Sequence, residues 1–318
     1  MSPLPSLPEL IIRAATHFNP YHYVPTRWIC VSFVLLFTIS TILHLGQSIR
    51  YRIWWLLPTA FFSGLLEILG WSARLWSSFS PTILLPFEIQ VIGTIIGPTP
   101  LIAADFMILG RIINRLGTRY SRLSPKLYSI IFCSCDLISL SVQGFGGTTA
   151  SLAVGRSESP EHGAHIMLGG IIFQMITISI YILLASEFFL RYFTDRPVGG
   201  KEAVYHSVSS GSVGSKSKTA GGRGEFDRNM RIMVFALAFN TTCLLIRAIY
   251  RTIELLDGFS GPIISTERYF NILDGGMITL AIFTLNFAHP GMYLVTQDKV
   301  DSEIELRLKE AGLLYYRL

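Results

Sequence analysis

Seven predominantly apolar stretches, each about as long as a bilayer is thick when wound as a helix, alternate along the chain with shorter polar segments. A transmembrane helix needs about 20 mainly apolar residues. The stretches at 28–47, 53–73, 83–110, 127–147, 165–190, 230–250 and 268–294 each read as one span. The third and seventh are longer than needed, so tilt or a kink is expected. Pro98 and Pro100 interrupt the hydrogen-bond ladder of the third, which a packed bundle can tolerate. The first stretch is preceded by 27 residues and is long for a signal-peptide core, so it is expected to be retained. The predicted fold is all-α, a polytopic membrane bundle of seven transmembrane helices.

The polar segments set the expected orientation. Lys and Arg gather in 46–52 (Arg50, Arg52), in 111–126 (Arg111, Arg115, Arg119, Arg122, Lys126), in 191–229 (Arg191, Arg196, Lys201, Lys216, Lys218, Arg223, Arg228) and in the tail (Lys299, Arg307, Lys309, Arg317). The other side carries Arg13, Arg27, Arg74, Arg156 and Arg251. The positive-inside rule places the N-terminus outside and the C-terminus in the cytosol. The chain then divides into an extracytoplasmic tail (1–27), a membrane domain (28–294) and a cytosolic tail (295–318). The loop at about 191–229 is expected to be flexible, because 206–224 is mostly Ser, Gly, Lys and Thr.

Composition agrees with this pattern. The chain has 318 residues, 50% hydrophobic and 15% charged, with mean hydropathy +0.47. So low a charged fraction excludes a disordered chain and argues against a soluble enzyme. The net charge of +5 belongs to the loops and gives no reason to expect nucleic acid. Cys30, Cys133, Cys135 and Cys243 all lie in apolar stretches, and Cys133-x-Cys135 lacks metal-ligand spacing, so neither a disulfide scaffold nor a metal is indicated. No cofactor is implied. The sequon at Asn240 lies inside the sixth span, where glycosylation is not expected.

The remaining charges lie inside the spans, where they are costly and normally face the bundle interior. Glu67 and Arg74 are seven apart on the second span, Asp136 and Gln143 on the fourth, and Glu267 and Asp274 on the seventh. Arg247, Arg251 and Glu254 fall at i, i+4 and i+7 on the sixth. Such spacings keep each set on one helix face. At about 1.5 Å per residue, Glu67, Arg74, Gln143, Arg247, Arg251, Glu254, Glu88, Gln90, Glu267 and Asp274 fall in the outer half, with Gln174 and Asp136 nearer the midplane. The expectation is a hydrated, charged cavity opening outward or laterally. Interhelical ion pairs, such as Glu67 or Asp136 with Arg247, are the competing structural reading. Asp105 is a candidate proton site, with pairing to Arg111 or solvent as the alternative. Glu187, His44 and His289 read as interfacial or packing residues. Trp28, Trp54, Trp55, Trp71 and Trp76 read as interfacial anchors. Gly144, Gly146, Gly147, Gly275 and Gly276 are expected to allow close helix approach.

The ordered series of these residues resembles the fungal RTA-like family of lipid-translocating exporters. Tyr23-x-Pro25 precedes the first span, and Glu67-x-x-Gly70-Trp71-x-x-Arg74 lies in the second. Gln90, Pro98, Ala103 and Gly110-Arg111 occupy the third, and Asp136-x-x-Ser139-x-x-x-Gln143-Gly144-x-Gly146-Gly147 the fourth. Gly169-Gly170 and Gln174 lie in the fifth, Arg247-x-x-Tyr250-Arg251-x-x-Glu254 ends the sixth, and Glu267 with Asp274 opens the seventh. The resemblance covers about residues 20–295. Phe106 stands where the family usually has Tyr, Asp105 is unusual, and Trp71 replaces a more frequent Tyr. The resemblance implies seven spans and a role in resistance to lipophilic toxins, release of sphingoid long-chain bases, lipid asymmetry, or porphyrin or haem movement.

The leading reading is a non-enzymatic translocator of an amphiphile, a sphingoid base, phospholipid or lipophilic toxin, driven without nucleotide because the chain carries no Walker motif. The candidate binding set is Glu67, Arg74, Gln90, Asp136, Gln143, Gln174, Arg247, Arg251, Glu254, Glu267 and Asp274. Arg247 and Arg251 would meet phosphate or carboxylate; Glu67, Asp136, Glu254 and Asp274 would meet an amine. A seven-span receptor for a lipid-like ligand is the alternative, although the chain lacks the third-span Asp/Glu-Arg-Tyr and seventh-span Asn-Pro-x-x-Tyr patterns. An intramembrane zinc hydrolase ranks last, because His44, His162, His165 and His289 do not share one depth. The expected location is the plasma membrane, with a vacuolar or other internal membrane as the alternative. Oligomeric state is left open.

Overall fold

Apolar runs of this length leave the backbone one way to satisfy its own polar groups in lipid, which is to wind into helices. The computed structural model describes residues 21, 23–156, 158–198, 224–258 and 261–295, and helices dominate them. Seven are long and apolar enough to cross a membrane: α1 Arg27–Tyr51, α2 Trp54–Ser77, α3 Leu84–Leu116, α4 Pro125–Ala153, α5 Glu161–Phe193, α6 Arg228–Leu256 and α7 Glu267–Leu294. Most of the first tail, the central part of the 191–229 loop and the whole 295–318 tail except residue 295 lie outside the described residues.

The helices run further than the apolar runs suggest, α3 to Leu116 and α5 to Phe193. Loop contacts support the extra turns. Glu187 receives Arg122 Nε at 2.7 Å and Arg191 Nε at 2.7 Å, and Asp227 caps α6 by accepting the Met230 N–H at 2.8 Å. These contacts lie at the end of the bundle where α1 finishes. The end where α1 starts is here called the near side.

Consecutive helices pack side by side, α4 most extensively on α5, and α7 closes the ring against α6 and α1. The third helix touches α2, α4 and α6. It is accordingly the most buried span, at 67% of its apolar window against 28% for α1 and α4. Large apolar side chains such as Leu35, Ile39 and Ile42 of α1 and Leu137 and Ile138 of α4 point outward, whereas Glu67, Arg74, Asp105, Asp136, Arg247, Arg251, Glu254 and Asp274 are buried. Such an inside-out arrangement is suited to lipid as solvent.

Three helices depart from regular winding. The second opens with a tight turn and a wide turn around Pro58. The third is built from Leu84–Ile96 and Pro98–Leu116, meeting at Gly97. The seventh has wide turns at Phe270–Gly276 and Gly291–Val295. Wide turns of this kind recur at functional sites.

Of the glycines expected at close crossings, Gly146 packs on the α5 backbone and Gly275 against Trp71 and Phe33, whereas Gly144 has open space beside it. Trp28, Trp54 and Trp76 are exposed near helix ends. Trp71 instead is fully buried, its ring 4.1 Å from that of Phe33. Asp105 does not pair with Arg111. Its carboxylate accepts from Asn240 Nδ2 at 2.6 Å and Thr241 Oγ1 at 3.1 Å, and Arg111 lies over the Trp55 ring.

Candidate functional site

The candidate binding residues fall into three groups, distinct from the Asp105 pairing with Asn240 and Thr241. The largest is centred on Arg251 of α6. Its Nε and Nη2 grip both oxygens of Asp274 on α7, at 2.8 and 3.0 Å. Its Nη1 donates to Glu254 at 2.8 Å and its Nη2 also to Thr94 Oγ1 on α3 at 2.8 Å. The second oxygen of Glu254 accepts from Tyr250 at 2.7 Å. A planar guanidinium suits this two-pronged grip, which a lysine cannot reproduce.

Arg247, one turn earlier on α6, places Nε 2.8 Å from Asp274 Oδ1 and donates through Nη2 to the backbone carbonyl of Thr94. That carbonyl is available for a covalent reason. Residue 98, four further on, is proline and has no N–H to donate back. Glu67 on α2 is fully buried beside this group, and neither carboxylate oxygen has a hydrogen-bond partner among the described residues.

The second group surrounds Arg74 near the end of α2. Its guanidinium donates to Tyr23 Oη at 2.7 Å and to Gln90 Oε1 at 3.4 Å, and stands 3.6 Å from Glu267. Four rings enclose it, with centroids at 4.4 Å (Phe270), 5.4 Å (Tyr21), 5.6 Å (Tyr23) and 5.7 Å (Trp71). Electron-rich ring faces hold a desolvated cation well. Burial pushes the Tyr21 phenol up to about 12 and raises that of Tyr23, against the opposing pull of Arg74. Both hydroxyls therefore stay protonated at neutral pH, and Tyr21 donates to Ser77 Oγ at 3.0 Å. Glu267 accepts from the Thr26 N–H at 2.8 Å and from its hydroxyl at 2.7 Å, holding the first turn of α1.

The third group joins α4 and α5. Gln174 Nε2 donates to Asp136 Oδ1 at 2.6 Å and to Thr99 Oγ1 of α3 at 3.4 Å. Gln143 donates to Gln174 Oε1 at 3.1 Å and to Ser139 Oγ at 2.7 Å, and Ser139 donates to the Gly170 carbonyl at 2.6 Å. Asp136 Oδ2 has no hydrogen-bond partner among the described residues. Asp136→Asn is therefore expected to stay within about 1 kcal/mol of the wild type, since the surviving carbonyl still accepts from Gln174. Asp136→Ala strands that donor and is expected to cost about 1–3 kcal/mol. Unfolding of the two variants in detergent checks this, and equal losses would contradict it.

A narrow cavity opens at the near side between the first two groups. Arg74, Gln90, Arg251 and Glu254 form its polar part, beside Tyr21 and Tyr23. Phe87, Val91 and Ile95 of α3, Met167 and Ile171 of α5, and Leu255 of α6 form the apolar part. Four of the eleven candidate residues thus line it. Arg247 and Asp274 stand behind it, bonded to or through the Arg251 group, Glu67 lies beside that group, and Glu267 lies behind Arg74. Asp136, Gln143 and Gln174 belong to the α4–α5 group. Asp136 is about 25 Å along α4 from the near end, against about 8 Å for Arg251 along α6, at 1.5 Å per residue. Glu88 is taken up by Ser151 of α4.

Thr94 is the residue that a search for charges passes over. Its signal was Pro98, which orphans the carbonyl four residues earlier inside a buried helix. Tyr250, already part of the motif on α6, gets its partner from the i, i+4 spacing to Glu254.

The RTA1 like protein family matches residues 60–297. The chain is 29% identical to a Saccharomyces cerevisiae protein named sphingoid long-chain base transporter RSB1, over 90% of this chain and 77% of that one. It is 23% identical to Protein RTA1 of the same yeast, over 91% of both chains, and 23% identical to its Protoporphyrin uptake protein 1, over 85% of this chain and 91% of that one. No solved structure matches.

Proposed function

The chain belongs to the RTA1-like protein family, and from that premise we propose that it translocates a lipid-like amphiphile, the polar head entering the near-side cavity while the tail stays among apolar side chains or lipid. The observation that carries this reading is the division of the cavity wall. Arg74, Gln90, Arg251 and Glu254 stand on one part, and an apolar surface from α3 and α5 on the other. Both signs of charge line it, which suits a head bearing an amine, or an amine and an anion together. The three yeast relatives are named for a long-chain base, for the family itself and for protoporphyrin. An amphiphilic cargo is common to the two names that specify one. In this reading the protein moves its ligand without changing it, the near side faces outward, and the plasma membrane is its place.

The test is flux across liposomes holding the purified chain, with a fluorescent sphingoid base as probe. Val91, half-buried on the apolar wall, is the residue to enlarge. Val91→Trp fills the cavity and is expected to cut the flux about tenfold, a barrier change of about 1.4 kcal/mol, without altering thermal stability in detergent to the same degree. Saturable binding of the base with no flux above empty liposomes would overturn the reading in favour of a receptor.

A further inference from the structure

The Arg251 group leaves one acid out. Glu67 is 0% exposed and both its oxygens lack hydrogen bonds among the described residues, while the neighbouring arginines are committed elsewhere. The charged groups facing it are Asp274 of α7 and Arg247 and Arg251 of α6, and the Trp71 indole, one turn on along α2, also faces it. From α3 it meets the backbone at Gly97, where an added Cβ would collide with its Oε1, and α1 approaches the same stretch of α2 through Thr41, which does not titrate. A carboxylate in so dry a place can carry charge only if a counter-ion comes to meet it. Arg247 is the arginine with freedom to answer. Its Nε is near Asp274 but makes no hydrogen bond, and its Nη2 holds a backbone carbonyl rather than an acid.

That carbonyl belongs to Thr94, and the bond fills the acceptor that Pro98 leaves open, tying the first half of α3 to α6 next to the break. The acid, the arginine and the break therefore sit within one assembly, behind the part of the cavity wall that Arg251 forms.

Resting on the transport reading, we propose that Glu67 is the proton-carrying group of a proton-coupled translocation cycle, and that Arg247 is its exchangeable counter-ion. When the O–H bond of Glu67 breaks, the proton passes to water and the electron pair stays on the carboxylate. Arg247 then turns from the Thr94 carbonyl to the new anion. The Thr94 carbonyl loses its donor, and the hold of α6 on the first half of α3 falls to the Arg251–Thr94 hydroxyl bond, which eases movement at the Pro98 break. Reprotonation returns Arg247 to Thr94 and restores the tie between α6 and the first half of α3.

Two measurements on the full chain test this. Infrared spectra of the purified protein at neutral pH are expected to show the carbonyl band of a protonated carboxylic acid that Glu67→Gln lacks. Identical spectra overturn the proposal, whether or not the protein transports anything. The second is sphingoid-base flux in liposomes with and without an imposed pH difference. One proton per ligand corresponds to about a tenfold accumulation ratio per pH unit, so the wild type is expected to respond on that scale. In Glu67→Gln the ratio of the two fluxes is expected to fall to about one. Wild-type flux indifferent to the pH difference, or a Glu67→Gln variant that still responds to it, overturns the coupling while leaving transport standing. Absence of wild-type flux instead defeats the transport reading. Pro98→Ala, which restores a backbone donor for Thr94, is expected to slow flux about tenfold, and unchanged flux would overturn the role of the break.

Discussion

Arg251→Ala is expected to destabilise the protein by about 3–5 kcal/mol, the range for removing one partner of a buried ion pair. The loss is large because three elements share the group. Asp274 of α7 would keep one contact, the ion pair with Arg247, and lose its two-pronged grip; Glu254 would keep only Tyr250; and Thr94 of α3 would lose a donor. What is measured is mostly the penalty of leaving acids buried and under-paired. The double variant Arg251→Ala/Asp274→Asn is accordingly expected to be less damaged than the sum of its single changes, by about 1–3 kcal/mol. Arg251→Lys is expected to recover only part of the loss, because an ammonium cannot hold both Asp274 oxygens and reach Glu254. Denaturant unfolding in detergent reads all three, and strict additivity would show that these contacts are independent.

The second large effect is expected at the crossing of α4 and α5. Gly163 and Gly146 face each other there. A Cβ on Gly163 would lie 2.6 Å from the Gly146 carbonyl and 2.7 Å from Ala150 Cα, and one on Gly146 would lie 2.8 Å from the Gly163 carbonyl. These are backbone atoms, which no rotamer change can move away. Gly163→Ala therefore forces the helices apart and is expected to cost about 3 kcal/mol, at the upper end for overpacking. Gly169→Ala, on the same helix with open space beside it, is expected to be neutral or to stabilise by up to about 1 kcal/mol through helix propensity. In lipid, packing of small residues drives helix association, so the contrast tests whether this seam depends on close backbone approach. Similar behaviour of the two variants would sink that account. The α4–α5 polar group, including Ser139 donating to the Gly170 carbonyl, depends on the same approach.

Much of this was legible before any tertiary structure. The seven spans follow from lengths of apolar run, and the helices depart from them mainly at their ends, where caps and loop ion pairs rather than hydropathy decide. The charges at seven-residue spacing were legible as inward-facing. Their partition was not. Glu67 and Asp136 look equivalent as single acids on single spans. Yet one lies bare beside the arginine group, and the other is held by Gln174 some 25 Å along α4 from the near side. Likewise Trp71, which hydropathy places among interfacial anchors, is drawn inward against Phe33 and Arg74.

Periodicity along one helix says which face a side chain occupies and how deep it lies, because rise and turn per residue are constants of the backbone. That was enough for an all-α membrane bundle with a polar interior. It says nothing about which neighbour stands opposite. Pairing Arg251 with Asp274, caging Arg74 in four rings, and giving the Thr94 carbonyl to Arg247 each require separate segments of the chain to meet at set rotations. Those rotations are fixed by packing across the bundle, so the charged fraction of the chain was readable from composition and the identity of each charge's partner was not.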